Sequence, residues 1–279
     1  MSRVAPLVWL ITGASNGFGL ALSRKALRAG HNVVGTVRNK GRSAEAVKSI
    51  ESLGGKIIEL DMTESQKSII DKIQKAETLY GTIDVLVNNA GDSETTVQMR
   101  TNFFGPLYAI QAVLPGMRTR RTGTIINVSS VGGQDGNPSC GLYAASKFAL
   151  EGLSEALSKE MAEFGISTLV VEPGQFRTNF LNAFVLNESG LSEPYRGTAV
   201  DEAIGKFQSM AGKQIGDPEK AVDVIFEVVT GEGLAGSLKG KILRLPLGID
   251  ALKRIRGKVE HVSKDLDATW EIATATAYD

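Results

Sequence analysis

The sequence is poor in the residues from which disulfide frameworks and metal clusters are built. Its 279 residues include one cysteine, Cys140, and two histidines, His31 and His261. A single cysteine excludes a disulfide within the chain and is typical of a reducing compartment, so we expect a cytoplasmic protein. These few ligands do not have the spacing of a zinc cluster, so no metal site is predicted.

An excess of one charge and long apolar runs are also missing. Lysine plus arginine and aspartate plus glutamate each number 31, so the formal net charge is zero. That balance gives no reason to expect nucleic acid or an anionic membrane as a partner. No run approaches the roughly 18 apolar residues of a membrane span. The apolar start leads directly into a glycine turn, which does not fit a signal peptide.

Short apolar segments rich in β-branched residues alternate with amphipathic segments along the chain. This alternation predicts an α/β fold, a single doubly wound, Rossmann-type domain over residues 1–279 with about seven parallel strands and helices on both faces. The predicted strands are residues 7–12, 32–37, 56–60, 84–87, 124–128, 167–171 and 242–245. The predicted helices are residues 17–29, 43–53, 64–79, 96–120, 143–164 and 218–230.

Two segments exceed a minimal sheet of this kind. Residues 175–216 form a long connection, which in a compact domain predicts a substrate lid. Residues 248–279 have a charged helical pattern followed by a tail that carries Trp270. The basic residues near the start of this pattern are interpreted as a solvated helix face: Lys253, Arg254, Arg256 and Lys258.

Three glycines follow the first predicted strand and open the first predicted helix. They are Gly13, Gly17 and Gly19, within T-G-A-S-N-G-F-G. Glycines allow close backbone approach to a pyrophosphate, and a helix N-terminus offers unpaired N–H groups and a positive dipole end. A glycine turn alone is a weak signal, but its position after the first strand favours a dinucleotide site.

The end of the second strand indicates which dinucleotide binds. An acidic residue there would bind a ribose 2′-hydroxyl and repel a 2′-phosphate. No acidic residue occurs in residues 33–40, where Thr36, Arg38 and Lys40 stand instead. Because arginine presents a planar fork of donors that suits phosphate, we expect NADP(H). The alternative is that Arg38 is merely an exposed side chain.

A tyrosine and a lysine share one face of a predicted helix. Tyr143 and Lys147 are four residues apart, and Tyr143 follows Ser130 by thirteen residues. Reduction of a ketone by hydride needs a proton donor, but the usual pKa of tyrosine is about 10. An adjacent ammonium group stabilises phenolate, and a serine hydroxyl can stabilise charge on the substrate oxygen. Taken alone, a tyrosine–lysine pair is also common on helix surfaces.

Together these motifs resemble the short-chain dehydrogenase/reductase family. The resemblance extends through L-D-M-T, N-N-A-G, T-N-F-F-G and P-G-Q-F-R-T and covers most of the chain. It implies catalytic roles for Ser130, Tyr143 and Lys147, with Asn102 helping to hold a water that relays protons to the lysine. The cofactor-binding residues that it implies are Gly13, Ser15, Asn16, Gly17, Phe18, Gly19, Arg38, Asp61, Met62, Asn89, Ala90, Gly91, Tyr143, Lys147, Pro173, Gly174, Phe176 and Thr178.

The segment between Gly91 and Asn102 is shorter than in many family members, which would open one wall of the site. We therefore expect an NADP(H)-dependent oxidoreductase that interconverts a ketone and a secondary alcohol on a hydrophobic, bulky substrate of the secondary-metabolite kind. Val131, Phe176, Phe180, Phe184, Val185 and Leu186 are the predicted apolar pocket. By resemblance, a homodimer or homotetramer would pair through residues 96–120 and 143–164.

Three other functions stay open at this point. The same fold, with Asn102, Ser130, Tyr143 and Lys147, would also serve an isomerase or a dehydratase that causes no net oxidation or reduction. The shortened segment before Asn102 is compatible with a nicotinamide-binding sensor that has lost turnover. A methyltransferase also uses a glycine turn on a similar sheet, but it has no need of the Tyr143–Lys147 pair and ranks below the others.

Overall fold

Seven parallel strands form one sheet in a computed structural model that describes residues 5–92, 97–179 and 190–278. They are Val8–Ile11 (β1), Asn32–Val37 (β2), Lys56–Glu59 (β3), Val85–Asn88 (β4), Gly123–Val128 (β5), Ile166–Pro173 (β6) and Arg244–Leu247 (β7). Their order across the sheet is β3-β2-β1-β4-β5-β6-β7, and every neighbouring pair is parallel. The predicted fold class is confirmed.

Helices cover both faces of this sheet. They are Gly17–Arg28 (α1), Ala44–Glu51 (α2), Gln66–Glu77 (α3), Gly105–Arg120 (α4), Gly141–Met161 (α5), Ala199–Met210 (α6), Pro218–Thr230 (α7) and Ile249–Thr274 (α8). One hydrophobic core joins the sheet to α1 and α7, a second joins it to α3, α4 and α5, and a smaller third joins it to α2. Parallel strands buried on both faces need continuous apolar runs, and V-W-L-I in β1 is fully buried.

Two predicted elements are displaced in the structure. The seventh strand was expected at residues 242–245, but β7 runs from Arg244 to Leu247 and includes Pro246. Because β7 is an edge strand, paired with β6 alone, a residue without an N–H is tolerated there. The fourth helix was expected from Thr96, which lies outside the described residues. The α-helix proper begins at Gly105, after a π-helical segment, Arg100–Phe104.

The strand order places the functional motifs at one edge of the sheet. The chain reverses its direction of winding between β1 and β4, and ligands of doubly wound sheets bind beyond the carboxyl ends of the strands at such a point. The glycine turn follows β1, N-N-A-G follows β4, and Ser130 follows β5. All three therefore converge on the same crevice.

Candidate active site

The glycine turn is held so closely against the end of β4 that side chains are excluded. A Cβ atom added at Gly13, whose φ is +68°, would lie 2.8 Å from the Ala90 Cα, and one at Gly19 would lie 2.3 Å from the Gly13 carbonyl oxygen. The Thr12 hydroxyl accepts hydrogen bonds from the backbone N–H groups of Asn89 and Ala90, at 3.0 Å each. These bonds join the first and fourth strand ends into one cradle.

A cavity of about 880 Å³ opens beyond this cradle. Among the predicted site residues, Gly19 and Asn102 do not line it; Gly19 packs inside the turn and Asn102 lies just behind Gly91. The glycine cradle and the N-terminus of α1 line this cavity, which is an arrangement that suits the pyrophosphate of a dinucleotide. Its lining includes Gly13, Ser15, Asn16, Gly17, Phe18, Arg38, Asp61, Met62, Asn89, Ala90, Gly91, Ser130, Tyr143, Lys147, Pro173, Gly174, Phe176 and Thr178.

The end of the cavity beyond β2 is open and charged. The Arg38 side chain is 71% exposed, and its Nη1 lies 3.2 Å from Oδ2 of Asp92, which is 16% exposed. Nearby, Asp61 accepts hydrogen bonds from the Thr63 backbone N–H and hydroxyl through Oδ1. Arg38 therefore lies where the sequence predicts it, but it faces an acid from the end of β4.

Two adjacent serines at the end of β5 have different partners. The Ser130 hydroxyl forms a hydrogen bond with the Tyr143 side chain and accepts one from the Gly132 backbone N–H at 3.0 Å. The Ser129 hydroxyl is buried and donates to Oε1 of Glu151 at 2.7 Å. Of the two, only Ser130 lies against the tyrosine, which agrees with the thirteen-residue spacing.

The ionisation of Tyr143 differs from the sequence-based expectation. Burial raises the pKa of Tyr143 to about 12, although the hydrogen bond from Ser130 works in the opposite direction. The Lys147 Nζ lies 5.8 Å from the centre of the tyrosine ring and donates to the Val128 carbonyl oxygen at 2.9 Å. Burial lowers the pKa of Lys147 to about 8, while the charge of Glu151 raises it. The expected lowering of the tyrosine pKa therefore does not come from the protein alone.

Asn102 occupies the π-helical segment beside the cavity. Its Oδ1 accepts from the Asp92 backbone N–H at 2.9 Å, and its Nδ2 donates to the Asp92 carbonyl oxygen at 3.0 Å and to the Ser146 hydroxyl at 3.1 Å. Through Asn102, these bonds tie the backbone of Asp92 to Ser146 of α5. The role of Asn102 in a proton relay stays a prediction.

A buried acidic cluster lies behind the serines. Glu172 of β6 is fully buried, and Glu151 of α5 is 2% exposed. Arg244 of β7 lies 3.2 Å from both, through Nε to Glu172 and through Nη2 to Glu151. Burial first, and then the charge of Glu151, raises the pKa of Glu172 to about 8. The cluster ties the edge strand to the helix that carries Tyr143.

Some cavity residues were missed by the sequence analysis. Cys140, which lies three residues before Tyr143, lines the cavity. Gln214 also lines it and is 2% exposed, and both amide atoms of its side chain are unpartnered in the part of the chain that the structure describes. Arg254 of α8 reaches it and donates to Asp135 and Asn137. No local motif marks Gln214 or Arg254, because they come from segments far along the chain from the glycine turn and from Tyr143.

The predicted apolar pocket and lid are described only in part. Val131 and Phe176 line the cavity, as does Phe207 of α6. Phe180, Phe184, Val185 and Leu186 lie outside the described residues, as does the centre of the lid over residues 175–216. The lid contains α6 and a short 3₁₀ segment, Glu193–Tyr195.

Comparison with known proteins decides the family. The family model for short chain dehydrogenase matches residues 7–189. The chain belongs to the short-chain dehydrogenase family. It is 42% identical over 218 residues to the oxidoreductase claN of Passalora fulva, covering 74% of this chain and 98% of that protein. Membership confirms the resemblance and makes the chain an oxidoreductase of this family.

Solved structures of family members agree with the architecture. A short-chain dehydrogenase from Streptomyces avermitilis superposes with a TM-score of 0.85 at 33% identity, covering 98% of this chain and 100% of that one. A gluconate 5-dehydrogenase from Burkholderia cenocepacia, in complex with NADP and tartrate, has a TM-score of 0.71 at 25% identity, covering 90% and 97%. Solved neighbours of this fold include complexes with NAD and with NADP.

Proposed function

We propose that this protein is an NADP(H)-dependent oxidoreductase that interconverts a ketone and a secondary alcohol, with Tyr143 as the acid and base. The observation that carries the proposal is the hydrogen bond between Ser130 and Tyr143 at the wall of the cavity, one helical turn from Lys147. A half-buried phenol and a half-buried hydroxyl that meet at one point can bind one substrate oxygen from two sides.

The chain's own groups prepare proton transfer to that oxygen. NADPH supplies the hydride when bound. The phenol of Tyr143 is protonated at neutral pH and is therefore ready to donate, and Ser130 stabilises negative charge on the substrate oxygen. Lys147 uses one of its three N–H donors on the Val128 carbonyl oxygen; the other two have no partner in the described chain and would hold a cofactor ribose.

The preference for NADP(H) rests on Arg38. Its guanidinium stands at the open end of the cavity, where a ribose 2′-phosphate would lie, and phosphate offers it a stronger partner than one carboxylate. The gluconate 5-dehydrogenase relative, which was solved with NADP, makes this cofactor plausible for the fold. Binding would require Arg38 to exchange Asp92 for the phosphate.

The substrate that we propose is hydrophobic and carries a further polar group. Val131, Phe176 and Phe207 supply apolar wall, and the unpartnered amide of Gln214 can both donate and accept. The protein would act as a cytoplasmic homo-oligomer with one domain. None of the helices in the described ranges is long and apolar enough to cross a bilayer.

The test measures oxidation of NADPH and NADH at 340 nm against a panel of aliphatic and aromatic ketones. We expect turnover with NADPH and loss of turnover in Tyr143→Phe, with NADPH binding retained by fluorescence. NADPH binding without turnover on any ketone would favour the sensor. Conversion of a substrate without consumption of cofactor would favour the isomerase or dehydratase, for which no observation here is specific.

A further inference from the structure

Helix α8 leaves the body of the protein with an apolar stripe that the described residues do not cover. Its first turns are anchored, since Ala251 is fully buried and Arg254 binds Asp135. Every described residue from position 259 onward is exposed. The exposed large apolar side chains along α8 have exposed fractions between 41 and 72%: Ile249, Leu252, Val259, Val262, Leu266, Trp270 and Ile272.

The stripe has the spacing by which helices pack against one another. Leu252, Val259 and Leu266 follow at intervals of seven, and Ile255 and Val262 stand three residues after the first two. This is the first-and-fourth pattern of a heptad repeat, which forms a seam on one side of a helix. Helices in proteins gain most of their stability by packing an apolar face against another element, so we expect a partner to cover the seam of α8.

The charges of α8 indicate what that occupant is. Its first half is basic and its second half is mainly acidic, with Glu260 and Lys264 between them. A parallel copy of α8 would set basic half against basic half. An antiparallel copy would set each basic half against an acidic half. The basic residues are Lys253, Arg254, Arg256 and Lys258, and the acidic ones are Asp265, Asp267 and Glu271.

One pair of charges fixes the register of such a helix pair. Lys258 and Asp265 are seven residues apart and flank the seam on the same side. In an antiparallel pair that packs Val259 against Val262 of the second copy, Lys258 of each chain faces Asp265 of the other. The two-fold symmetry makes each contact twice.

We propose that α8 pairs antiparallel with α8 of a second copy of this chain, through the seam and the Lys258–Asp265 contacts. This interface lies apart from the family-type pairing expected through residues 96–120 and 143–164. The seam shares its first residues with the anchored turns of α8, but Lys258, Asp265 and Leu266 do not belong to the cavity lining, so the pairing does not depend on the proposed reaction. The acidic half of α8 makes an anionic membrane surface the poorer occupant.

Sedimentation equilibrium of the full chain tests the pairing. Leu266→Asp places a charge in the seam of both copies. It should raise the dissociation constant of the paired copies about a hundredfold. Ala268→Asp adds the same charge on the opposite side of α8 and should leave it unchanged. Leu266 is exposed in the single chain, so folding, checked by circular dichroism, should be retained in both variants. Equal effects of the two variants, or no effect of Leu266→Asp, would overturn the proposal.

A charge exchange separates antiparallel self-pairing from any other occupant. Lys258→Glu and Asp265→Lys should each weaken association about tenfold, and the double variant should restore it because both ion pairs are rebuilt in reverse. A double variant weaker than either single one would exclude this register. Flotation with anionic phosphatidylserine vesicles, if it were lost in Leu266→Asp while the sedimented mass stayed constant, would assign α8 to the membrane instead.

Discussion

The cavity is buried and bonded to backbone at one end, whereas at the other it is open and paired through exposed charges. The tyrosine end consists of Ser130, Tyr143 and Lys147; Lys147 is 4% exposed and bonded to the Val128 carbonyl oxygen. The arginine end consists of Arg38 and Asp92, whose pair includes a 71% exposed arginine. Buried polar groups are costly to misplace, while an exposed ion pair contributes little net free energy.

Because of this difference, we expect the tyrosine end to determine the reaction rate and the arginine end to determine the choice of cofactor. Substitutions at the tyrosine end act on groups with fixed positions and altered pKa values, so their effects on rate should be large. Substitutions at the arginine end act on an ion pair whose arginine is largely exposed to water, so their effects should be small and confined to cofactor choice.

Replacing Tyr143 by phenylalanine should produce the largest effect. The ring and its packing remain, but the proton donor is lost, and turnover should fall about a thousandfold. Affinity for NADPH, measured by fluorescence titration, should stay within about twofold. Tyr195→Phe is the control, since Tyr195 is 52% exposed and does not belong to the described cavity lining. Unchanged turnover in Tyr143→Phe would remove Tyr143 from the proposed chemistry.

The two neighbouring serines should separate catalysis from stability. Ser130→Ala should lower turnover about a hundredfold, because one donor to the reacting oxygen is lost, with little change in unfolding. Ser129→Ala should keep most turnover but lower the free energy of unfolding by about 1 to 3 kcal/mol, since it removes a donor from the buried Glu151. Kinetics and urea unfolding of both variants measure this. The reverse assignment would show that the thirteen-residue spacing selects the wrong serine.

The contrast between the two ends also explains what the sequence could predict. The glycine turn, Asn89 and Ser130 each follow a strand, and the order of parallel strands brings strand ends together, so motif spacing located them. The ionisation of Tyr143 was not predictable, because burial depends on packing around it. The Glu151–Glu172–Arg244 cluster and the side chain of Gln214 come from segments with no local motif.

The buried cluster behind the tyrosine end should make stability depend on pH. The pKa of Glu172 is about 8 in the folded protein and near its usual value when unfolded, so between about pH 4.5 and 8 the folded state holds a proton that the unfolded state has lost. This contribution to the free energy of unfolding therefore falls as the pH rises through that window. Glu172→Gln removes this pH-dependent contribution. As the pH rises from 5 to 8, the free energy of unfolding of the variant should increase on the order of 2 kcal/mol relative to that of the unmodified protein.

Urea unfolding of both proteins at several pH values gives that difference, in which the ionisable groups remote from Glu172 cancel. Glu155→Gln is the matched control, because Glu155 also contacts Arg244 but is 50% exposed. Glu155→Gln should not change how steeply the free energy of unfolding depends on pH. A parallel pH dependence in Glu172→Gln and the unmodified protein would contradict a protonated Glu172.

The smallest effects should come from the arginine end, where substitutions of Arg38 and of Asp92 should change the affinity for NADPH in opposite directions. Arg38→Ala should weaken NADPH binding about tenfold and leave NADH binding nearly unchanged, because only NADPH carries the 2′-phosphate. Asp92→Asn should tighten NADPH binding about twofold to threefold, since Arg38 no longer has to leave a carboxylate. Asp71→Asn, which removes a similar exposed partner of Lys67, is the control. If Arg38→Ala weakened both cofactors equally, Arg38 would hold the common part of the dinucleotide, and the preference for NADPH would need another source.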